Sequence, residues 1–336
     1  MPYDVFFFEA FEEERKELEH FLPDPIRAGF TAATTQEFGI GEAPPAPVIS
    51  VRTQSLLPDH WAPRLAGILT RSTGYDHIHA YRTRTGADLP CGYLPLYCNR
   101  AVAEQAMMMW MALLRRLPRQ CAHFSSFHRD GLTGGECAGK TLVVVGVGNI
   151  GKEIVDIGRG LRMNVLGVDP VHNLSGLHYM DIQEALPAAD VLAVGMNLTA
   201  ANRNFFGHDR LRALKQGAIF VNTARGELAD AAALLDLLES GHLGGVGLDV
   251  YDEEPELAVS LREGRSPDSA TVRAVLEMSA RDDVVCTPHN AFNTLESVRR
   301  KSEQSIEQLN HLQRTGQFIW KVPQESDSPE RCPESP

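Results

Sequence analysis

Arg225, Glu254 and His289 are the residues of this 336-residue chain best suited to chemistry, and each stands inside a short phrase of its own. Arg225 lies in Val221-Asn222-Thr223-Ala224-Arg225-Gly226-Glu227. Glu254 lies in Gly247-Leu248-Asp249-Val250-Tyr251-Asp252-Glu253-Glu254-Pro255, and His289 in Cys286-Thr287-Pro288-His289-Asn290-Ala291-Phe292. Upstream stands Gly146-Val147-Gly148-Asn149-Ile150-Gly151. A planar guanidinium clamps a carboxylate through two parallel hydrogen bonds. An imidazole gives and recovers a proton near neutral pH, and a carboxylate beside it favours its protonated form. With a glycine loop that can hold a dinucleotide, these are the parts that hydride transfer to a 2-keto acid requires.

Each residue taken alone has a plainer explanation. Arg225 could be a surface arginine after a strand, His289 a loop histidine with its hydrogen bonds satisfied, and Glu254 one solvated acid in Asp252-Glu253-Glu254. Together they weigh more, because each follows a short apolar run that reads as a strand of a parallel sheet. Ligands bind beyond the carboxyl ends of such strands, so the three side chains are expected to share one crevice.

The glycine loop has the context that its motif needs. Thr141 to Val145 reads as a buried strand, Asn149 to Leu161 as a helix and Asn164 to Val168 as the next strand. The first glycine turns the chain, the second lets backbone approach a pyrophosphate and the third lets helix pack on strand. Asp169 follows the next strand, 18 residues past Gly151, where a carboxylate binds ribose hydroxyls and repels a 2′-phosphate. The expected cofactor is therefore NAD, with Gly146, Gly148, Asn149, Ile150, Gly151 and Asp169 around it.

The elements around these motifs predict an α/β protein of two doubly wound parallel-sheet domains, the larger a Rossmann NAD-binding domain. Strands are expected at Tyr3–Phe8, Ala28–Ala33, Val48–Thr53 and Leu65–Thr70, and a helix over Glu12–Phe21. Further strands are expected at Val191–Val194, Ala218–Val221, Gly245–Val250 and Asp283–Cys286. Asp230 and Gly241 bracket a helix as N-cap and C-terminal stop. Ala101–Leu117 is apolar almost all round and reads as a helix packed between domains or between subunits. Thr294–Leu312 should return to the first domain. The boundaries are 1–100 with 290–322 for the substrate domain, 101–289 for the NAD domain and 323–336 for a disordered tail.

The net charge of -12 argues against nucleic acid or an anionic membrane as the main partner. No apolar run is long enough to cross a bilayer, and Met1-Pro2-Tyr3-Asp4 lacks the basic start of a signal peptide. The six cysteines, 91, 98, 121, 137, 286 and 332, form no CxxC pair and no cluster with ligand spacing. They read as reduced thiols of a cytoplasmic protein without a metal site.

The series of phrases resembles the D-isomer-specific 2-hydroxyacid dehydrogenase family. Gly139-Lys140-Thr141-Leu142 before the glycine loop, Ala189-Asp190-Val191, Asn197-Leu198-Thr199, Asn222-Thr223-Ala224-Arg225-Gly226-Glu227, Leu248-Asp249-Val250 and Thr287-Pro288-His289 all carry the likeness, with Asn197 replacing the usual Pro. The resemblance implies a D-2-hydroxyacid dehydrogenase, usually a homodimer, with Arg225, Glu254 and His289 catalytic and with Asn197, Thr223, Ala224 and Asp249 also at the cofactor. Arg71-Ser72-Thr73-Gly74-Tyr75-Asp76 is similar to the loop whose N–H groups hold the substrate carboxylate, which implicates Thr73 and Gly74. Tyr97 and Phe292 match aromatics that the D-lactate dehydrogenase branch places near the substrate. Arg100 stands where that branch has Asn. The stretch Val259–Arg281 is longer than usual and is expected to be a surface loop. The other readings are an NAD(H)-sensing binding protein like the corepressors that resemble this family, and a relative acting on another small anion such as phosphite.

Overall fold

The structure is a computed structural model that describes residues 1–39 and 41–323. It divides into two compact units, Met1–Cys98 with residues 293–323, and Asn99–Phe292. Asn290 and Ala291 belong to the second unit because their N–H groups donate to Asp249. The expected tail lies outside the described residues, apart from Pro323.

Five short strands build the first unit: β1 (Val5–Phe7), β2 (Ala28–Phe30), β3 (Val48–Val51), β4 (Gly67–Thr70) and β5 (Cys91–Gly92). Their order is β2-β1-β3-β4-β5 and every pairing is parallel. Phe6, Phe8, Ile49, Val51 and Ile68 join Trp61, Ile78 and Tyr81 in a buried core on one side of this sheet. The helix Glu12–Phe21 falls where its sequence places it, acidic in its first turn. The helix Leu295–Thr315, N-capped by Thr294 and stopped by Gly316, packs against it.

Seven strands build the second unit: β6 (Thr141–Val145), β7 (Asn164–Val168), β8 (His178–Tyr179), β9 (Val191–Val194), β10 (Ala218–Asn222), β11 (Leu243–Leu248) and β12 (Val284–Cys286). They lie in the order β12-β11-β10-β9-β6-β7-β8, all parallel. The central strands are buried on both faces, so they read as unbroken apolar runs. Their side chains alternate. Val143, Val145, Leu192, Val194 and Phe220 enter one core with Leu234, Leu237 and Val275. Leu142, Val144, Val191, Ala193, Ile219 and Val221 enter the other, with Ala106, Met109, Trp110 and Leu113. A fully buried aliphatic or aromatic side chain contributes roughly 1.5–3 kcal/mol, so these two layers dominate the unit.

The methionine-rich helix, Asn99–Leu114, lies on the sheet of its own unit; a Cβ at Gly247 would stand 3.0 Å from the Met109 Cβ, so that glycine lets the helix approach β11. One expectation changes. Val259–Arg281 is not a surface loop. The helix Glu254–Glu263 runs through its start, and a second helix, Ala270–Ser279, is capped by Ser269 and buries Val272, Val275 and Met278. The apolar spacing of that segment carried the signal.

Candidate active site

The glycine loop leaves β6 at Gly146, whose φ of 91° lies in the region that favours glycine. A Cβ at Gly151 would stand 2.0 Å from the Gly146 carbonyl oxygen, so only glycine allows this contact of helix and turn. Gly148 caps the helix Asn149–Gly160 without a side chain, and a Cβ there would meet nothing within 4 Å. Space beside this loop and the positive end of the helix suit a pyrophosphate. Asp169, just past β7, is fixed beside it: Oδ2 accepts from Val147 N at 2.7 Å and Oδ1 from Val171 N at 2.8 Å. A narrow glycine turn, an open flank and an oriented carboxylate fit NAD. Asn197 is exposed beyond β9, and its carbonyl accepts from Asn202 Nδ2 at 2.7 Å.

Arg225, Glu254 and His289 follow β10, β11 and β12, which are neighbours in the sheet. Parallel strands share their carboxyl ends on one edge, and that brings the three residues to one side of the unit. The Glu254 carboxylate accepts from His289 Nδ1, at 2.8 Å to Oε2 and 3.1 Å to Oε1. That bond places the ring's other nitrogen away from Glu254 and orients the imidazole. The pair is partly open, with the His289 side chain 25% and the Glu254 side chain 22% exposed.

Local contacts explain these positions. His289 has a φ of 49°, a left-handed backbone that costs about 1–3 kcal/mol in a non-glycine residue and needs its surroundings to hold it. Asp249, buried at the end of β11, does so. Its Oδ1 accepts from Thr287 Oγ1 and, at 2.9 Å, from Asn290 N; its Oδ2 accepts from Ala291 N at 2.8 Å. Burial, outweighing these bonds, pushes the Asp249 carboxyl above its ordinary range. Tyr251 adds a hydroxyl that donates to the Leu248 and Thr287 carbonyls, at 3.0 and 2.8 Å. On β10's side, Asn222 braces the turn: its Nδ2 donates to the Arg225 carbonyl and its Oδ1 accepts from Ala224 N. Thr223 is buried, and Arg225 Nη1 donates to the Ala224 carbonyl at 2.8 Å. A Cβ on Gly226 would lie 1.9 Å from the Tyr251 carbonyl carbon, so this glycine brings the Arg225 turn against the chain that leads to Glu254.

The resemblance implies Asp249 only as a cofactor contact, and no local pattern points to Asn222, Tyr251 or Gly226 as supports. Asp249 does hold the His289 loop through both its oxygens. Its place at a strand end was legible, but its partners are 38 to 42 positions away in the chain. Phe292 is half-buried at the end of the same loop. Arg100 is exposed and bonded to Glu104 at 2.6 Å and to Glu153 at 3.4 Å. Thr73, Gly74 and Tyr97 belong to the first unit. There Thr73 Oγ1 touches the Leu94 carbonyl and Cys98 Sγ, while Tyr97 is buried with its ring 5.9 Å from Lys301 Nζ.

Residues 107–291 match the family model described as "D-isomer specific 2-hydroxyacid dehydrogenase, NAD binding domain". The D-lactate dehydrogenase of Escherichia coli is 33% identical over 227 residues, 66% of this chain and 68% of that protein. The D-lactate dehydrogenase of Leuconostoc mesenteroides is 31% identical over 245 residues, 70% of this chain and 72% of that one. Among solved structures, D-lactate dehydrogenase from Aquifex aeolicus, complexed with NAD and lactic acid, superposes with a TM-score of 0.81 at 26% identity, covering 94% of this chain and 98% of that one. The chain belongs to the D-isomer-specific 2-hydroxyacid dehydrogenase family. It is an NAD-dependent oxidoreductase that interconverts a D-2-hydroxy acid and its 2-keto acid. These relatives do not favour the readings as a cofactor-sensing binding protein or as an enzyme of phosphite.

Proposed function

We propose that this enzyme reduces a small 2-keto acid such as pyruvate, with His289 as proton donor and Arg225 as carboxylate clamp. The contact of His289 with Glu254 carries this reading. Glu254 occupies Nδ1, so Nε2 is the atom that hands a proton to the keto oxygen in reduction and takes it back in oxidation. Arg225 grips the carboxylate of the substrate and polarises its keto group. The N–H groups of Thr73 and Gly74 are assigned to the other carboxylate oxygen, and Tyr97, Arg100 and Phe292 to the rest of the substrate. Gly146, Gly148, Asn149, Ile150, Gly151, Asp169, Asn197, Thr223, Ala224 and Asp249 are assigned to NAD, which when bound supplies the hydride acceptor or donor. D-Lactate dehydrogenases among the relatives support pyruvate as the first substrate to try.

The enzyme is further proposed to work as a homodimer in the cytoplasm. Leu117, Phe124 and Phe127 are 48%, 77% and 70% exposed on one short stretch of the second unit, and exposed apolar side chains grouped along the chain suit an interface with a second copy. Cys91, Cys98, Cys121, Cys137 and Cys286 are free thiols, which suits a reducing compartment. No helix among the described residues is long and apolar enough to cross a membrane.

NADH oxidation with pyruvate, phenylpyruvate, glyoxylate and a 2-ketodicarboxylate tests the substrate. Turnover of none of them would overturn the proposal. Glu254→Gln measured beside Glu253→Gln tests the pair: Glu253 is an exposed neighbour, so only the first substitution should lower kcat.

A further inference from the structure

Arg71 closes β4 and immediately precedes Ser72-Thr73-Gly74, and its guanidinium is completely buried. Nε donates to Glu14 Oε1 at 2.8 Å, Nη1 to Ser50 Oγ at 2.9 Å and Nη2 to the Phe8 carbonyl at 2.6 Å. The same carboxylate turns its other oxygen, Oε2, to Lys301 Nζ at 3.0 Å. Glu14 is 3% exposed and Lys301 1%. The next residue along, Arg300, donates from Nε to the Tyr97 carbonyl at 2.9 Å. One buried carboxylate therefore joins three pieces of the first unit: the helix Glu12–Phe21, the strand end at Arg71 and the helix Leu295–Thr315. The segment after Arg71 is tied in turn to the one holding Tyr97, through Leu94 N to the Ser72 carbonyl at 3.1 Å and Thr73 Oγ1 to Cys98 Sγ at 3.4 Å.

Three buried charges are a poor device for stability alone. Removing an ion from water costs several kcal/mol, and well-packed apolar replacements of such triads are often neutral or stabilising. What a charged triad does supply is direction, because a guanidinium with three fixed acceptors has one orientation only. The element it orients here is the loop assigned to the substrate carboxylate.

We propose that Glu14, through Arg71 and Lys301, is a positioning residue that sets the carboxylate-binding loop Ser72-Thr73-Gly74. This rests on the proposed role of that loop. The triad is buried and touches no reacting atom; it acts on the affinity for the keto acid and not on proton transfer.

The test compares wild type, Glu14→Gln and the triple variant Glu14→Leu/Arg71→Met/Lys301→Met, using the fastest keto acid of the panel above. Tm, NADH affinity by fluorescence, KM and kcat are read for each. Glu14→Gln leaves two buried cations with a neutral partner and can fail to fold. The triple variant removes the charges together and keeps the packing volume. In it the expected result is a KM raised about tenfold or more, kcat within about threefold, NADH affinity unchanged and a Tm near wild type, a split that marks lost ground-state positioning. A folded triple variant whose KM stays within about twofold of wild type overturns the proposal. Thr73→Pro, which deletes one loop N–H, separates the two readings. If it leaves KM unchanged, the loop does not bind the carboxylate and both fall. If it raises KM while the triple variant does not, only the positioning role of Glu14 falls.

Discussion

The two sheets of this enzyme are built alike and end differently. In each, one central strand lies where the strand order reverses, β1 between β2 and β3, and β6 between β7 and β9. Beyond β6 stands the glycine turn with open space beside Gly148. Beyond β1 stands Glu9, a buried acid with a φ of 52°, whose carboxylate accepts from Arg52 N at 2.9 Å and Gln54 N at 3.3 Å. The first unit thus fills its own switch point with a side chain and satisfies it with its own backbone. The second keeps a glycine turn there, with open space at Gly148. Charges follow the same division. Those of Glu14, Arg71 and Lys301 are sealed in, whereas His289 and Glu254 stay about a quarter exposed. Topology offers a site in both sheets, and the residues after each strand decide whether it is used.

The sharpest way to break this contrast is to remove the reactive group from the open unit. His289→Ala should lower kcat for keto-acid reduction by roughly 10²–10⁴, with KM changed only a few-fold, because the proton moves in the transition state. Near-full activity in steady-state assays would take His289 out of the mechanism.

The sealed unit should show itself in acid. Burial alone would raise the Glu14 carboxyl, but Arg71 and Lys301 outweigh it and hold it down at about 2. Burial pulls the Lys301 ammonium down to about 8 in spite of Glu14. A depressed carboxyl contributes stability that is complete above its unfolded value, near 4.5, and that drains away as pH falls toward about 2. Glu14 should therefore account for a loss of about 3 kcal/mol over that window. Urea unfolding at pH 5 and pH 3 should show a smaller drop in the triple variant than in wild type. Equal drops would mean that the triad is not acid-labile.

Asp249 asks whether the open unit also depends on a buried acid. Asp249→Asn turns one acceptor into a donor that faces a backbone N–H, so it should cost about 1–3 kcal/mol of stability. It should also lower kcat roughly tenfold by freeing His289 from its left-handed backbone. Chemical unfolding and steady-state kinetics measure the two, and an unchanged kcat would reduce Asp249 to a structural residue. The smallest effect is expected at Asp169. Asp169→Ala removes the carboxylate that would repel a 2′-phosphate, so the preference for NADH over NADPH in kcat/KM should fall about tenfold. A preference left intact would move cofactor selection elsewhere.

Much of the second unit was legible because its signals are local. Buried parallel strands are unbroken apolar runs, a helix stop is a glycine, and Gly146-Val147-Gly148-Asn149-Ile150-Gly151 declares its turn within six residues. The same local logic gave the Asp230 cap, whose side chain accepts from Ala232 N and Ala233 N. It failed over Val259–Arg281, where Gly264 and Pro267 interrupt the pattern between two short helices.

The sequence by itself pointed to the reaction class, the cofactor loop and the three residues proposed for catalysis, since residue type, spacing and the family likeness all lie along the chain. Tertiary structure alone decided that β10, β11 and β12 are neighbours, that Asp249 holds the His289 loop, and that Glu14 meets Arg71 and Lys301 across 57 and 287 positions of chain. A buried carboxylate finds its partners by packing, whatever their distance along the chain, and no pattern of neighbouring residues encodes which ones they are.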